Sequence, residues 1–356
     1  MFKITLTSSM MILSLTTSTA VMAEQKLNVI SSFSILGDLV SQVGQEHITV
    51  TNLVKVDGDA HVFNPTPQDA KAIAKAQLVV TNGLQFEGWM PRLIEAANYQ
   101  GVQVIATNGI DVLSTKEEHE HHDDEHAHHD DEHAHHDDKH AHHDDEHEHY
   151  DDEHEHHDDE HAHHDDEHAH HDDEHAHHDH GDIDPHAWHS IKNVKAYIHN
   201  IAKGLIQVDP ANTDDYQKNA KDYIQKLDKL ELKINAQLAT VPKTQRKVIT
   251  PHDAFGYFAR DFNVTFLAPQ GTSTGSEASA ADVAKLIKQI RHDKVNAVFM
   301  ENIADNRLIE QISRETGAKM GGKLYSDALS SPDQPAATYL KMMQYNVDTI
   351  VNALQP

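Results

Sequence analysis

Between His119 and His180 the chain carries no Leu, Ile, Val, Met or Phe. This stretch repeats the seven-residue unit His-Ala-His-His-Asp-Asp-Glu, and it holds 27 of the 34 histidines. A seven-residue period suggests a coiled coil, but a coiled coil needs an apolar seam and no position of the unit supplies one. With nothing to bury, the segment cannot offset its ordering entropy and is expected to be disordered. It therefore splits the chain into two stretches that must build the fold between them. Its composition suits divalent metals, since neutral imidazole binds zinc, copper and nickel and carboxylates share the load. The blander alternative is a solvated acidic linker, which has no need of His at this density. Its mid-chain position and mixed composition exclude an affinity tag.

The tract also accounts for the acidity. The formal net charge of the 356-residue chain is −29. From Lys116 to His180 there are 29 Asp+Glu against 2 Lys, which leaves the remainder close to neutral, with 29 acids and 27 bases. No basic footprint for nucleic acid remains. The chain has no cysteine, so disulfides, thiolate metal sites and cysteine catalysis are excluded. The same absence argues against a lipid anchor on an N-terminal cysteine.

Lys3, a mostly apolar Ile4 to Val21 and the small-residue site Val21-Met22-Ala23 predict a cleavable signal peptide over 1–23 and export to the periplasm. Its apolar run is shorter than the ~20 residues a membrane span needs.

The rest alternates short apolar runs with helical patterns, which predicts a parallel α/β sheet in each half. Strands are expected at Leu27–Ser31, Ile48–Val54, Leu78–Thr81 and Val102–Ala106, then at Val248–Thr250, Val264–Ala268, Ala297–Met300 and Lys323–Tyr325. Thr66-Pro-Gln-Asp69 reads as a capped helix start running to Gln77. From about Asn212 to Ala239 the apolar residues Tyr216, Ala220, Tyr223, Leu227, Leu230, Ile234 and Leu238 draw one helical stripe. The expected organisation is an N-terminal lobe over 24–211 with an insertion at 116–181, a rigid connecting helix over 212–240, and a C-terminal lobe over 241–356.

Three histidines fall in loops after these strands: His61, His186 and His252. Ligands of open α/β sheets bind beyond the carboxyl ends of strands. Asp327 follows the last expected strand. Three imidazoles and a carboxylate form a suitable zinc shell. A lone loop histidine is more often a surface residue, and His47, His199 and His292 read that way. His189 reads as a support behind the ligands or, more readily, as an exposed helix start. Asp253 reads either as an orienter of a ligand imidazole or as a helix cap. Trp188 and Phe255 read as packing walls.

The chain resembles the metal-binding substrate proteins of zinc and manganese ABC importers, most closely the zinc branch, ZnuA-like. The resemblance rests on Gly58-Asp-Ala-His61 through Pro65, on Asn82-Gly83 with Glu87 and Trp89, and on Asp184-Pro-His186-Ala-Trp188. It continues in His252 with Ala254-Phe255 and Tyr257-Phe258, in Glu301, and in Asp327-Ala-Leu329. It implies two α/β lobes joined by a rigid helix, the metal held in the cleft between them, and delivery to a membrane permease driven by a separate ATPase. A His-rich insertion is itself a feature of the zinc branch. Some members carry Glu immediately before the first ligand His. Here that position is Ala60, so Asp327 or water must complete the shell. An imidazole at His252, where manganese-type relatives carry a carboxylate, favours zinc; nickel stays open. The expectation is a non-enzymatic, monomeric periplasmic zinc-binding protein whose His-rich loop collects further zinc weakly. The alternatives are a periplasmic zinc buffer or metallochaperone, and a manganese- or nickel-type importer component. A hydrolytic three-His zinc site needs a general base beside the metal, and no His-Glu-x-x-His motif is present.

Overall fold

A computed structural model describes residues 26–115, 183–295 and 297–355. The expected signal peptide and the His-rich insertion at 116–181 lie outside these residues. The described strands form two four-stranded sheets. In the first, β1 (Leu27–Ser31), β2 (Ile48–Asn52), β3 (Leu78–Thr81) and β4 (Val102–Ile105) run in the order β2-β1-β3-β4. In the second, β5 (Lys247–Ile249), β6 (Thr265–Leu267), β7 (Ala297–Glu301) and β8 (Lys319–Leu324) run β6-β5-β7-β8. Every described pairing is parallel. The two halves therefore repeat one topology: the strand order reverses beside β1 in one and beside β5 in the other, which is where open sheets form a crevice.

Parallel strands are covered on both faces, and the pattern of their side chains shows it. Val29, Leu78 and Val80 face one hydrophobic cluster, while their neighbours Ile30 and Val79 face another, closed by Ile73 of helix α2 (Pro67–Ile73) and by Met90 and Leu93 of α3 (Met90–Ala96). The second sheet divides likewise. Ala297 and Phe299 join the main core, and Ile249 and Val298 pack with residues of α7 (Ala280–Asp293) and α8 (Arg307–Thr316). The two-residue alternation along a strand makes this division.

The main core runs through both halves, and helix α5 (Thr213–Leu238) carries it. All seven residues of the expected stripe are buried. The helix packs against α1 (Ser34–Gly44), α4 (Ile191–Val208) and α9 (Tyr339–Leu354), and α9 in turn packs on β8. α5 is thus wedged along its length between helices of both lobes. Among the described residues no helix is long and apolar enough to cross a membrane.

Thr66 caps α2 as expected, with the reciprocal Asp69 bond of a capping box, but the helix ends at Ile73 instead of Gln77. The last strand is six residues long rather than three, and it begins before Gly321-Gly322. Two glycines hide a strand from apolar patterning, and here they sit opposite a register irregularity at Val298/Phe299 of β7. Gly321 leaves room for the Phe299 ring, with which a Cβ would clash.

Candidate metal centre

Because the strands of each sheet run the same way, their carboxyl ends share an edge, and the loops that leave this edge carry the polar residues. His61 lies between β2 and α2. His186 precedes a short 3-10 turn, Ala187–His189, that leads into α4. His252 lies between β5 and α6 (Gly256–Phe262), and Asp327 between β8 and α9. Each lobe gives two of the four.

The structure brings all four expected residues together. One ligand atom from each of His61, His186, His252 and Asp327 lies within 4.8 Å of the others. Asp327 Oδ2 is 3.2 Å from Nε2 of both His61 and His252, and its Oδ1 is 3.7 Å from Nε2 of His186. The Nε2 atoms of His61 and His186 are 3.4 Å apart. His186, His252 and Asp327 have no exposed surface. His61 is only partly buried. It lines a small opening with Leu84, Gln85, Phe86, Ile183, Pro185 and Thr272, so it is the member nearest solvent.

Two imidazoles are held from behind by carboxylates. Asp184 Oδ1 is 2.7 Å from His186 Nδ1 and also accepts the His186 backbone N–H at 2.9 Å. Glu301, the last residue of β7, places Oε2 2.6 Å from His252 Nδ1, and that same oxygen accepts the Ser326 hydroxyl at 2.8 Å. A proton on each Nδ1 leaves the Nε2 lone pair facing the centre, as outer carboxylates do for metal-binding imidazoles. On the far side of His252 this orienting position is taken by Glu301. His61 is placed differently: its backbone N–H donates to Asp59 Oδ1 at 2.8 Å, and its ring packs edge-on against Phe86, centroids 4.8 Å apart.

Trp188 is buried as expected. Its indole N–H donates to the Ser326 carbonyl at 2.9 Å, and its own carbonyl accepts the Tyr339 hydroxyl at 2.9 Å. It packs with Phe33 and Phe86 into an aromatic wall beside His186. Asn82, directly after β3, donates from its side-chain amide to the Pro185 carbonyl at 2.9 Å and accepts the Tyr197 hydroxyl at 2.5 Å. Glu87 accepts the Asn82 backbone N–H at 2.7 Å. The motif residues Asn82 and Glu87 thus brace the His186 loop.

Burial is the largest influence on each charge. It would raise the pKa of Asp327, but His252, His186 and His61 around it hold its carboxyl well below the usual range. Burial lowers that of His61; Asp327 opposes the shift and the neighbouring imidazoles add to it, leaving the value lowered. For His252 burial also acts downward, yet Glu301 and Asp327 together outweigh it and raise the imidazole well above its ordinary value.

His189 departs from its expected exposure. It has no exposed surface, and its ring lies against Phe255, centroids 4.5 Å apart. Burial, followed by the charge of His186, pushes its pKa down to about 3. The local sequence marks a helix start; the cover comes from Phe255, in the other half of the chain. His199 and His292 are exposed as expected, while His47 is partly buried with Nε2 3.0 Å from Asp215.

The chain matches the ZnuA family, zinc-uptake complex component A periplasmic, over residues 29–353, and it belongs to that family. It is accordingly an extracytoplasmic, metal-binding substrate component of an ABC importer, and not an enzyme; its partners are a membrane permease and an ATPase. It is 26% identical over 329 residues to the manganese-binding lipoprotein MntA of Halalkalibacterium halodurans, covering 92% of this chain and 88% of that one. It is 26% identical over 340 residues to the iron-binding protein YfeA of Yersinia pestis, covering 94% and 90%. Its fold matches the periplasmic zinc-binding protein TroA of Treponema pallidum with a TM-score of 0.73 at 24% identity, over 93% of this chain and all of the other. These three similar proteins are named for three different metals.

Proposed function

We propose that the protein binds one zinc ion through His61, His186, His252 and Asp327 and delivers it to an ABC-type zinc permease. The observation that carries this reading is the closed set of three Nε2 atoms and one carboxylate. A tetrahedral site with zinc–ligand bonds of about 2.0–2.1 Å has ligand–ligand edges of about 3.3 Å. The separations from Asp327 Oδ2 to His61 and His252, 3.2 Å each, and between His61 and His186, 3.4 Å, lie near that value, and all four ligand atoms fall within 4.8 Å of one another. Imidazole suits zinc, whereas manganese prefers oxygen-rich shells. Among the described residues a single carboxylate joins the group. Glu301 and Asp184 face the far ring nitrogens, so they orient ligands instead of adding oxygen.

The name of the similar manganese-binding protein supports a second reading, a manganese-type importer component. Protein lacking 119–180, purified from medium containing both metals, decides between them. The zinc reading expects one zinc per chain that excess manganese does not displace. Manganese retained against zinc overturns it.

The sequence supports a role for the tract as an auxiliary collector. A segment whose composition offers nothing to bury is expected to bind weakly, because each event must order the chain. The tract runs directly into the His186 loop, and tethering raises the local concentration of donors at the site. Cells carrying the tract-deleted protein are expected to grow normally in ample zinc and poorly under chelation. Equal growth at every zinc level refutes the relay.

A further inference from the structure

The last residues before the insertion and the first after it meet at one point. Ser114 and Ile183 form an antiparallel bridge, and the Asp184 backbone N–H donates to the Leu113 carbonyl at 2.9 Å. Both ends also meet a third element, α6 of the other lobe. The Leu113 N–H donates to the Tyr257 hydroxyl oxygen at 3.0 Å, and that hydroxyl donates to the Asp184 carbonyl at 3.0 Å. One buried hydroxyl therefore ties the two ends together. The preceding residue makes room for them. A Cβ on Gly256 would lie 2.6 Å from Asp184 Oδ2 and 2.9 Å from Leu113 Cδ2. Closing a loop costs entropy that grows with its length, and contacts at the base must offset it. The side chain of Asp184 holds the His186 ring, so a slack base would reach the metal site in two steps.

We propose that Gly256 and Tyr257 clamp the base of the His-rich insertion and that Tyr257 is thereby a positioning residue for His186. The clamp lets the insertion carry metal, or vary in length, without displacing the loop it leads into. This inference rests on the reading of His186 as a ligand.

The test compares Tyr257→Phe in the full chain and in protein lacking 119–180, where a short connection holds the ends together. Zinc release to a chelator is followed in each. The variant should speed release of the tight ion about tenfold in the full chain and by less than about twofold in the shortened one. A rescue follows from the bridge. Residues opposite each other in an antiparallel pair have Cα atoms about 4.5–5.5 Å apart, within the disulfide range. The native chain has no cysteine to compete. Ser114→Cys with Ile183→Cys, oxidised, should restore slow release to full-length Tyr257→Phe, and reduction should remove the rescue. Equal acceleration in both backgrounds, or no rescue on oxidation, overturns the clamp. Hydrogen exchange reads it without metal or variant: the Asp184 amide of the unmodified protein should exchange as slowly as the amides of β3. Exchange as fast as in an exposed loop overturns the proposal. Absence of a slowly released zinc from the unmodified shortened protein would instead overturn the ligand reading, and amide exchange still judges the clamp.

Discussion

The two lobes each give the site two groups and one orienting carboxylate, but they assemble them differently. In the first lobe Asp184 is two residues from His186, and one oxygen serves both the backbone and the ring. In the second, Glu301 comes from a strand far along the chain. It reaches His252 with one carboxylate and ties the Ser326-Asp327 loop with the same group. The first arrangement is a local turn that forms with its own loop. The second exists only once β5, β7 and β8 lie side by side, and it ties the His252 and Asp327 loops at once. The second lobe should therefore set the affinity of the site more strongly, and the first should tolerate more change.

The largest effect expected is that of His252→Ala. It removes a ligand and leaves Glu301 buried without its imidazole. In protein lacking 119–180, zinc affinity should fall by well over about a hundredfold, more than the loss of a carboxylate behind a ligand gives. Competition titration with a zinc chelator measures it, and an unchanged affinity excludes His252 from the shell.

Acid comes next. Glu301 and Asp327 raise the pKa of His252 well above its ordinary value, so its imidazole keeps a proton more readily than an ordinary histidine, and a ligating imidazole must be neutral. Zinc should expel about one proton at pH 7, and its affinity should drop about tenfold per pH unit as the solution is acidified below the raised value. Calorimetry in buffers of different ionisation enthalpy counts the protons. Zero release would contradict the picture of His252 between two carboxylates. His61 has its pKa lowered and should add nothing until lower pH.

The sharpest comparison sets Glu301→Gln against Asp184→Asn. Both keep shape and lose charge. Changes of this kind behind a ligand weaken metal binding by about 10–100-fold. Glu301→Gln should fall at the upper end and should also reduce the protons released on zinc binding. Asp184 uses one oxygen, which Asn retains, whereas Glu301 uses both, Oε2 for the ring and Ser326 and Oε1 for the His252 backbone N–H, so the loss at Asp184 should sit near the lower end. The reverse order in a chelator titration would overturn the claim that the second lobe sets the affinity.

The smallest effect tests the link across the mouth. The Thr274 hydroxyl donates to Asp59 Oδ2 at 2.6 Å, and Asp59 also holds the His61 backbone. Thr274→Val removes one hydrogen bond of about 1 kcal/mol, so zinc should leave roughly fivefold faster. Stopped-flow release measures this, and a change as large as that of Glu301→Gln would show the mouth to be worth as much as the second lobe's carboxylate.

Much of the candidate site is legible in the sequence. His61, His186, His252 and Asp327 stand out as loop residues after apolar runs, and parallel strands explain why that placement works. Asp184 belongs to a recognisable motif, but its neighbours in sequence do not say that it holds a ring. Glu301 shows as a strand-end residue, yet its partner is 49 residues away, and no local pattern points to it. His189 looks exposed in sequence because the residue that buries it, Phe255, lies in the other half of the chain.

What the sequence determines by itself is periodic or local: the two-residue alternation of the strands, the seven-residue stripe of α5, the Thr66 cap, and the segment that has nothing to bury. Each follows from backbone geometry or composition within a short window. The tertiary structure alone decides how closely the four approach, that His189 is buried behind them, which carboxylate holds which ring, and the direction in which each group titrates. Those outcomes depend on distances between residues as far apart as His61 and Asp327, and on the water that packing excludes from between them.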